Sequence, residues 1–154
     1  MSSFNSGLVL VVDDDANLRR IYHDVLTAHG YSVITAKSGE ECLQLLHRAL
    51  PKVVVLDIMM PNMDGIETCR RVRKKIGDSV PILFLTAADS METVRACLEA
   101  GGDDYLMKSG SPIAVVERVN RLASINKQTL QRRRVRATAE VRANLAHSGG
   151  DAEQ

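Results

Sequence analysis

The residues of this chain that could act together chemically are mostly acids, and each stands directly after an aliphatic run. Asp13-Asp14-Asp15 follows residues 8–12, and Asp57 follows residues 53–56 with Ile58-Met59-Met60-Pro61-Asn62-Met63-Asp64-Gly65 behind it. A solvated acid normally sits among polar neighbours, so a carboxylate at the mouth of a buried run has a task or a hidden partner. Thr86 follows residues 82–85, and Lys108 follows residues 104–107. Asp13, Asp14 and Asp57 brought into one pocket would repel one another and require a cation. Hard oxygen donors suit Mg2+, which binds through one or two carboxylates, keeps several waters and pairs with phosphate oxygens. A carboxylate can also be a nucleophile that forms an acyl phosphate. A cation and Lys108 would neutralise a phosphoryl group in transfer, and Thr86 could hydrogen-bond the group once attached.

That chemistry needs elements to carry it. Short aliphatic runs at 8–12, 32–35, 53–56, 82–85 and 104–107 read as strands, the central ones buried on both faces. The segments between them read as helices. The first spans about 16–29, with Asp15 as its cap and Gly30 as its stop. The second opens on Ser38-Gly39-Glu40-Glu41 with capping-box spacing and ends before Pro51. The third runs from about Gly65 to Gly77, with Arg and Lys in its last turn. The fourth runs from about Ser90 to Ala100, before Gly101-Gly102. The fifth begins at Ser111-Pro112, a cap followed by proline at the first helical position. Five strands alternating with five helices indicate an α/β fold with a parallel sheet and right-handed crossovers, and a doubly wound, flavodoxin-like sheet of order 2-1-3-4-5 is expected. In that order the first and third strands are neighbours at the switch point, beyond whose carboxyl ends ligands bind. Asp13, Asp14 and Asp57 would meet there, flanked by Thr86 and Lys108. The second strand ends in Thr35-Ala36-Lys37 and adds no obvious partner.

Composition sets the frame. The 154 residues, 45% apolar and 25% charged, suit one soluble domain of 1–125 with an appendage. Cys42, Cys69 and Cys97 form neither a metal pattern nor a disulfide framework and read as small core residues of a reducing compartment. The start carries no signal-peptide pattern, and no run approaches the ~20 apolar residues of a membrane helix. A cytoplasmic protein with no membrane partner is expected. Residues 124–154 carry six basic and three acidic residues, net +3, which leaves −2 on residues 1–123. Residues 126–146 read as a helical extension and 147–154 as a disordered tail.

These residues resemble the receiver domain of bacterial two-component response regulators, over roughly residues 8–125. The acidic pair matches Asp13 and Asp14. The phosphoacceptor matches Asp57 within the specific string Asp57-Ile58-Met59-Met60-Pro61-Asn62-Met63-Asp64-Gly65. The hydroxyl residue matches Thr86, the switch aromatic Tyr105, and the lysine Lys108. By that resemblance, Asp14, Asp57 and the Met59 backbone carbonyl bind Mg2+, with Asp13 acting through water, and the Ala87 backbone meets the phosphate. Asp57 takes a phosphoryl group from a phosphohistidine on a sensor histidine kinase or phosphotransfer protein. Thr86 and Tyr105 then move together and remodel the surface of the fourth helix, fifth strand and fifth helix. The resemblance is to a stand-alone receiver that catalyses only its own aspartyl phosphorylation and dephosphorylation and signals by binding another protein. A homodimer through that surface or through the C-terminal helix is a further expectation, whereas nucleic acid is not expected as a partner. The Arg132-Arg133-Arg134-Val135-Arg136 run is read as a solvated or partner-docking helix face.

One departure stands out. Ser109 follows Lys108 where the family usually has proline, often after a cis bond. A cis bond before serine costs ~2.5–4 kcal/mol, so a trans loop is expected, with the placement of Lys108 in question. Two other readings are open. Asp13-x-Asp15 with Asp103-Asp104 faintly resembles haloacid dehalogenase-type phosphatases, but Asn17 stands where that motif wants threonine, and the nucleophile would be Asp13. A receiver-like adaptor that works without phosphorylation is the other.

Overall fold

The computed structural model describes residues 6–87 and 90–125, together with Val135, Ala139, Glu140, Arg142 and Ala143, which are helical. Apart from these five positions, the expected helical extension and tail lie outside the described residues. Ten elements alternate without exception: β1 (Leu8–Val12), α1 (Ala16–Ala28), β2 (Ser32–Ala36), α2 (Gly39–Leu46), β3 (Val53–Asp57), α3 (Gly65–Ile76), β4 (Ile82–Thr86), α4 (Met91–Ala100), β5 (Asp104–Met107) and α5 (Pro112–Ser124). The strands form one parallel sheet in the order β2-β1-β3-β4-β5.

Pleating divides the aliphatic strands between two cores. Leu10, Val12, Val54, Leu56, Ile82 and Phe84 point to one face, where Cys42 and Leu46 of α2, Cys69 and Val72 of α3, and Cys97 and Ala100 of α4 cover them. Val9, Val11, Val53, Val55, Leu83 and Leu85 point to the other, beneath Tyr22 and Leu26 of α1 and four residues of α5. Only the step from β1 to β2 runs against the direction of the later steps. A right-handed crossover therefore puts α1 on the opposite face from α2, α3 and α4, and the closing helix α5 joins it. All three cysteines are buried free thiols in the first of these cores.

The helix starts are made by the residues the sequence offers. Asp15 caps α1 by accepting from the N–H groups of Asn17 and Leu18, while Ser38, Asp64, Ser90 and Ser111 cap the other four helices. Three strands run one residue further than expected, and the first of them, β2, includes Ala36 because its carbonyl still accepts the Asp13 N–H. Asp57 and Thr86 lie inside β3 and β4 because their neighbours still pair with the sheet: Ile58 N–H donates to Leu85 O and Lys108 N–H to Thr86 O.

Candidate phosphoryl and metal site

The site begins where the sheet ends. Asp13 follows β1 and makes one further ladder bond, its N–H donating to Ala36 O at 3.1 Å. Val12 is level with Leu56, so Asp13 stands level with Asp57. Both share the pleat phase of Val9, Val11, Val53 and Val55, and both side chains are almost completely buried. Asp14, between Asp13 and the Asp15 cap, is exposed.

Lys108 joins the two buried acids. Its Nζ lies 2.9 Å from Asp57 Oδ1 and 3.0 Å from Asp13 Oδ2. It reaches them because Lys108 N–H bonds Thr86 O at 2.8 Å, which carries the pairing of β4 and β5 one residue past the strand. The peptide bonds from Lys108 to Pro112 are trans. Ser109 in place of proline therefore does not displace the lysine. Burial pulls the Lys108 ammonium down, but its bonds to Asp57 and Asp13 outweigh that effect and raise its pKa above the ordinary value.

Asp57 is held as a reluctant anion. Burial, reinforced by the Asp13 charge, pushes its pKa from 3.8 up to about 6 against the lowering effects of Lys108 and the Met59 N–H. Met59 N–H donates to Asp57 Oδ1 at 3.2 Å, and the Met59 side chain is exposed. Asp57 Oδ2 is buried and has no hydrogen-bond partner among the described residues. The strand-to-helix turn behind it depends on Gly65, where a Cβ would stand 2.1 Å from the Asp57 carbonyl oxygen. Asp57-Ile58-Met59-Met60-Pro61-Asn62-Met63-Asp64-Gly65 is thus a geometric unit as well as a sequence motif, with Asp64 capping α3 and Gly65 lying flat against the peptide of the acid.

The donors fit a small divalent cation. Asp13, Asp14 and Asp57 each offer one oxygen, and the three atoms lie within 4.8 Å of one another. Three carboxylates against one ammonium leave a formal charge of −2, which such an ion would balance, and the orphaned Asp57 oxygen is a donor in need of a partner.

The other expected residues stand nearby in the fold but outside this cluster of charges. Thr86 is buried at the end of β4, with exposed Ala87 directly after it. Tyr105 is 36% exposed on β5. Two residues that pattern reading passed over join the site. Tyr22 of α1 is buried close enough to feel Lys108, Asp13, Asp57 and Asp15, and burial first of all raises its phenol pKa. Arg19 donates from Nη1 to the Asp13 carbonyl at 2.7 Å. Its position one turn beyond the Asp15 cap was the available signal, since helical side chains lean toward the N-terminus.

Residues 9–120 match the family described as the response regulator receiver domain. Response regulator MprA of Mycolicibacterium vanbaalenii is 46% identical over 121 residues, which is 79% of this chain and 51% of that protein. A Guillardia theta protein described as "Probable transcriptional regulator ycf27" is 44% identical over 122 residues, 75% of this chain and 47% of its own length. Among solved structures, chemotaxis protein CheY4 of Vibrio cholerae superposes with a TM-score of 0.72 at 32% identity, covering 75% of this chain and 97% of that one. The chain therefore spans about half the length of the curated relatives it matches.

Proposed function

We propose, for a chain that belongs to the response regulator receiver domain family, that Asp57 accepts a phosphoryl group from a phosphohistidine of a sensor histidine kinase or phosphotransfer protein. The observation that carries this reading is the Asp57 carboxylate itself, buried, held at one oxygen by Lys108 and Met59 and unpartnered at the other. A carboxylate oxygen attacks phosphorus, the P–N bond breaks, and its electron pair returns to the imidazole of the donor. Asp57 is left as an acyl phosphate. Lys108 offsets negative charge on the group in transfer, and burial keeps bulk water from competing.

Asp13, Asp14, Asp57 and the Met59 carbonyl would hold Mg2+, which supplies charge neutralisation and orientation for phosphate oxygens. The attached phosphate would draw Thr86 and the Ala87 N–H toward it. Tyr105, half turned to solvent on β5, would follow into the space that Thr86 leaves and alter the α4–β5–α5 surface. A downstream protein, or a second copy of the chain, would read that surface. The protein acts in the cytoplasm on this reading, and no helix among the described residues is long and apolar enough to cross a membrane. The expectation that nucleic acid is not a partner draws no support from relatives, one of which is described as a transcriptional regulator and is about twice the matched length.

The test is intact mass after incubation with a small-molecule phosphodonor and Mg2+. One added phosphate is expected, absent without Mg2+ and absent in Asp57→Asn. Addition that persists in Asp57→Asn overturns the assignment. No addition, and no response to a stable phosphoryl mimic, favours the phosphorylation-independent adaptor.

A further inference from the structure

We propose that Arg19 is a positioning residue for the cation site, acting through the backbone of the acidic turn; the inference rests on the metal reading given above. Beyond Val12 the chain leaves the sheet, and the Asp13 carbonyl is taken by the Arg19 side chain at 2.7 Å. The turn is pinned at three more points: Asp13 N–H on Ala36 O at 3.1 Å, Asp15 N–H on Asp13 Oδ1 at 2.9 Å, and Lys108 on Asp13 Oδ2 at 3.0 Å.

These bonds fix Asp13 and leave Asp14 to the backbone. The Asp14 carboxylate is exposed and has no hydrogen-bond partner among the described residues, yet its oxygen lies within 4.8 Å of those offered by Asp13 and Asp57. Side-chain rotation apart, where that carboxylate can reach is governed by the plane of the peptide between Asp13 and Asp14. The carbonyl of that peptide is the group Arg19 holds. Arg19 itself is anchored one turn into α1, where its N–H bonds Asp15 O at 3.0 Å and its half-buried side chain runs back toward the helix start.

Two roles for this guanidinium predict opposite signs. As a mere neighbouring positive charge it repels a divalent cation, so removing it tightens binding. As the group that orients the Asp13–Asp14 peptide it preforms the site, so removing it weakens binding, by about tenfold for an outer-shell partner.

Calorimetric titration of Mg2+ into the full chain separates them. Arg19→Met, which keeps the apolar stem but has no donor, is expected to bind about tenfold more weakly than the unaltered protein. Arg19→Lys, which can still donate once to the carbonyl, is expected to recover most of that loss. Tyr31→Phe controls for general loosening, because it removes the hydroxyl's bond to Asn120 just before the start of β2, the opposite end of the sheet from the acids; its Mg2+ affinity should equal that of the unaltered protein. Should Arg19→Met fail to fold, Arg19→Gln is judged by the same sign. Equal or tighter Mg2+ binding in a folded Arg19 variant overturns the positioning role alone. An unaltered protein that takes up no Mg2+ overturns the metal reading, and this inference with it.

Discussion

Arg73 and Asp103 form a buried ion pair at the opposite end of the sheet from the acidic cluster, with Arg73 Nη2 2.8 Å from Asp103 Oδ2. The same oxygen accepts the Ile82 N–H at 2.8 Å where β4 begins. The rest of the guanidinium donates to the carbonyls of Gly77, Val80 and Gly101. One side chain at the end of α3 thus ties the α3–β4 and α4–β5 connections together. Removing one partner of a buried pair strands the other, at a typical cost of about 3–5 kcal/mol. Arg73→Ala should lower unfolding stability by that order in a urea titration. A loss below about 1 kcal/mol, the level of an exposed pair, would show the brace to be incidental.

Gly65 makes the second prediction. A methyl group there would stand 2.1 Å from the Asp57 carbonyl oxygen and 2.8 Å from Ile58 Cα, both backbone atoms that cannot rotate aside. Gly65→Ala should cost roughly 1–3 kcal/mol, the range for overpacking, or more. Any folded fraction should also accept phosphate poorly, since the strain falls on the peptide of the proposed acceptor. A phosphorylation yield equal to that of the unaltered protein would refute the coupling.

The third concerns Asp57 and pH. Its folded pKa is raised by burial from 3.8 to about 6. The stability contributed by the protonated acid is therefore fully present below 3.8 and lost as pH rises through about 6. In metal-free buffer, melting temperature attributable to this group should fall between pH 4 and 7. Asp57→Asn should remove that component of the pH profile and be more stable than the unaltered protein at pH 7, by on the order of 1 kcal/mol. Mg2+ should raise the melting temperature of the unaltered protein far more than that of the variant. A variant less stable than the unaltered protein at pH 7 without metal would contradict the argument.

The fourth concerns the thiols. Burial pushes Cys42 up to about 12 and Cys97 up to about 11, from an ordinary 9.0. At pH 8 the thiolate fraction of Cys42 falls about a thousandfold, and alkylation needs the thiolate. The folded protein should leave Cys42 and Cys97 unmodified by iodoacetamide at pH 8, with all three cysteines reacting in denaturant. Because the raised values make ionised thiols incompatible with the core, stability should also decline as pH climbs from 9 toward 12. Rapid native alkylation of Cys42 would place that residue nearer solvent than described.

Much of this was legible locally. The strand runs at 8–12 and 104–107, the helix caps Asp15, Ser38 and Ser111 and the glycine stops at Gly30, Gly77 and Gly101 each depend on residues a few positions apart. A chain states such preferences without knowing its fold. Alternation gave a parallel sheet with right-handed crossovers, the order 2-1-3-4-5 was one of the known doubly wound arrangements, and the motif around Asp57 carried its own geometry. The strand ends at Ala36, Asp57 and Thr86 each lie one residue beyond the expected run because a strand ends where its neighbours stop pairing. That is decided by Asp13, Leu85 and Lys108, not by the run itself.

By itself, then, the sequence determined the elements, their order and which residues could do chemistry, because period, capping and motif spacing are short-range properties. Tertiary structure alone decided what those residues meet. Lys108 reaches acids 95 and 51 positions away in the chain at 3.0 and 2.9 Å, in spite of the serine that follows it. Arg73 finds Asp103 rather than Glu67, the acid on its own helix, and Arg19 finds a carbonyl rather than a carboxylate. Each is a long side chain whose partner is chosen by which buried polar group the closing sheet leaves unsatisfied, and that is not defined until the sheet has formed.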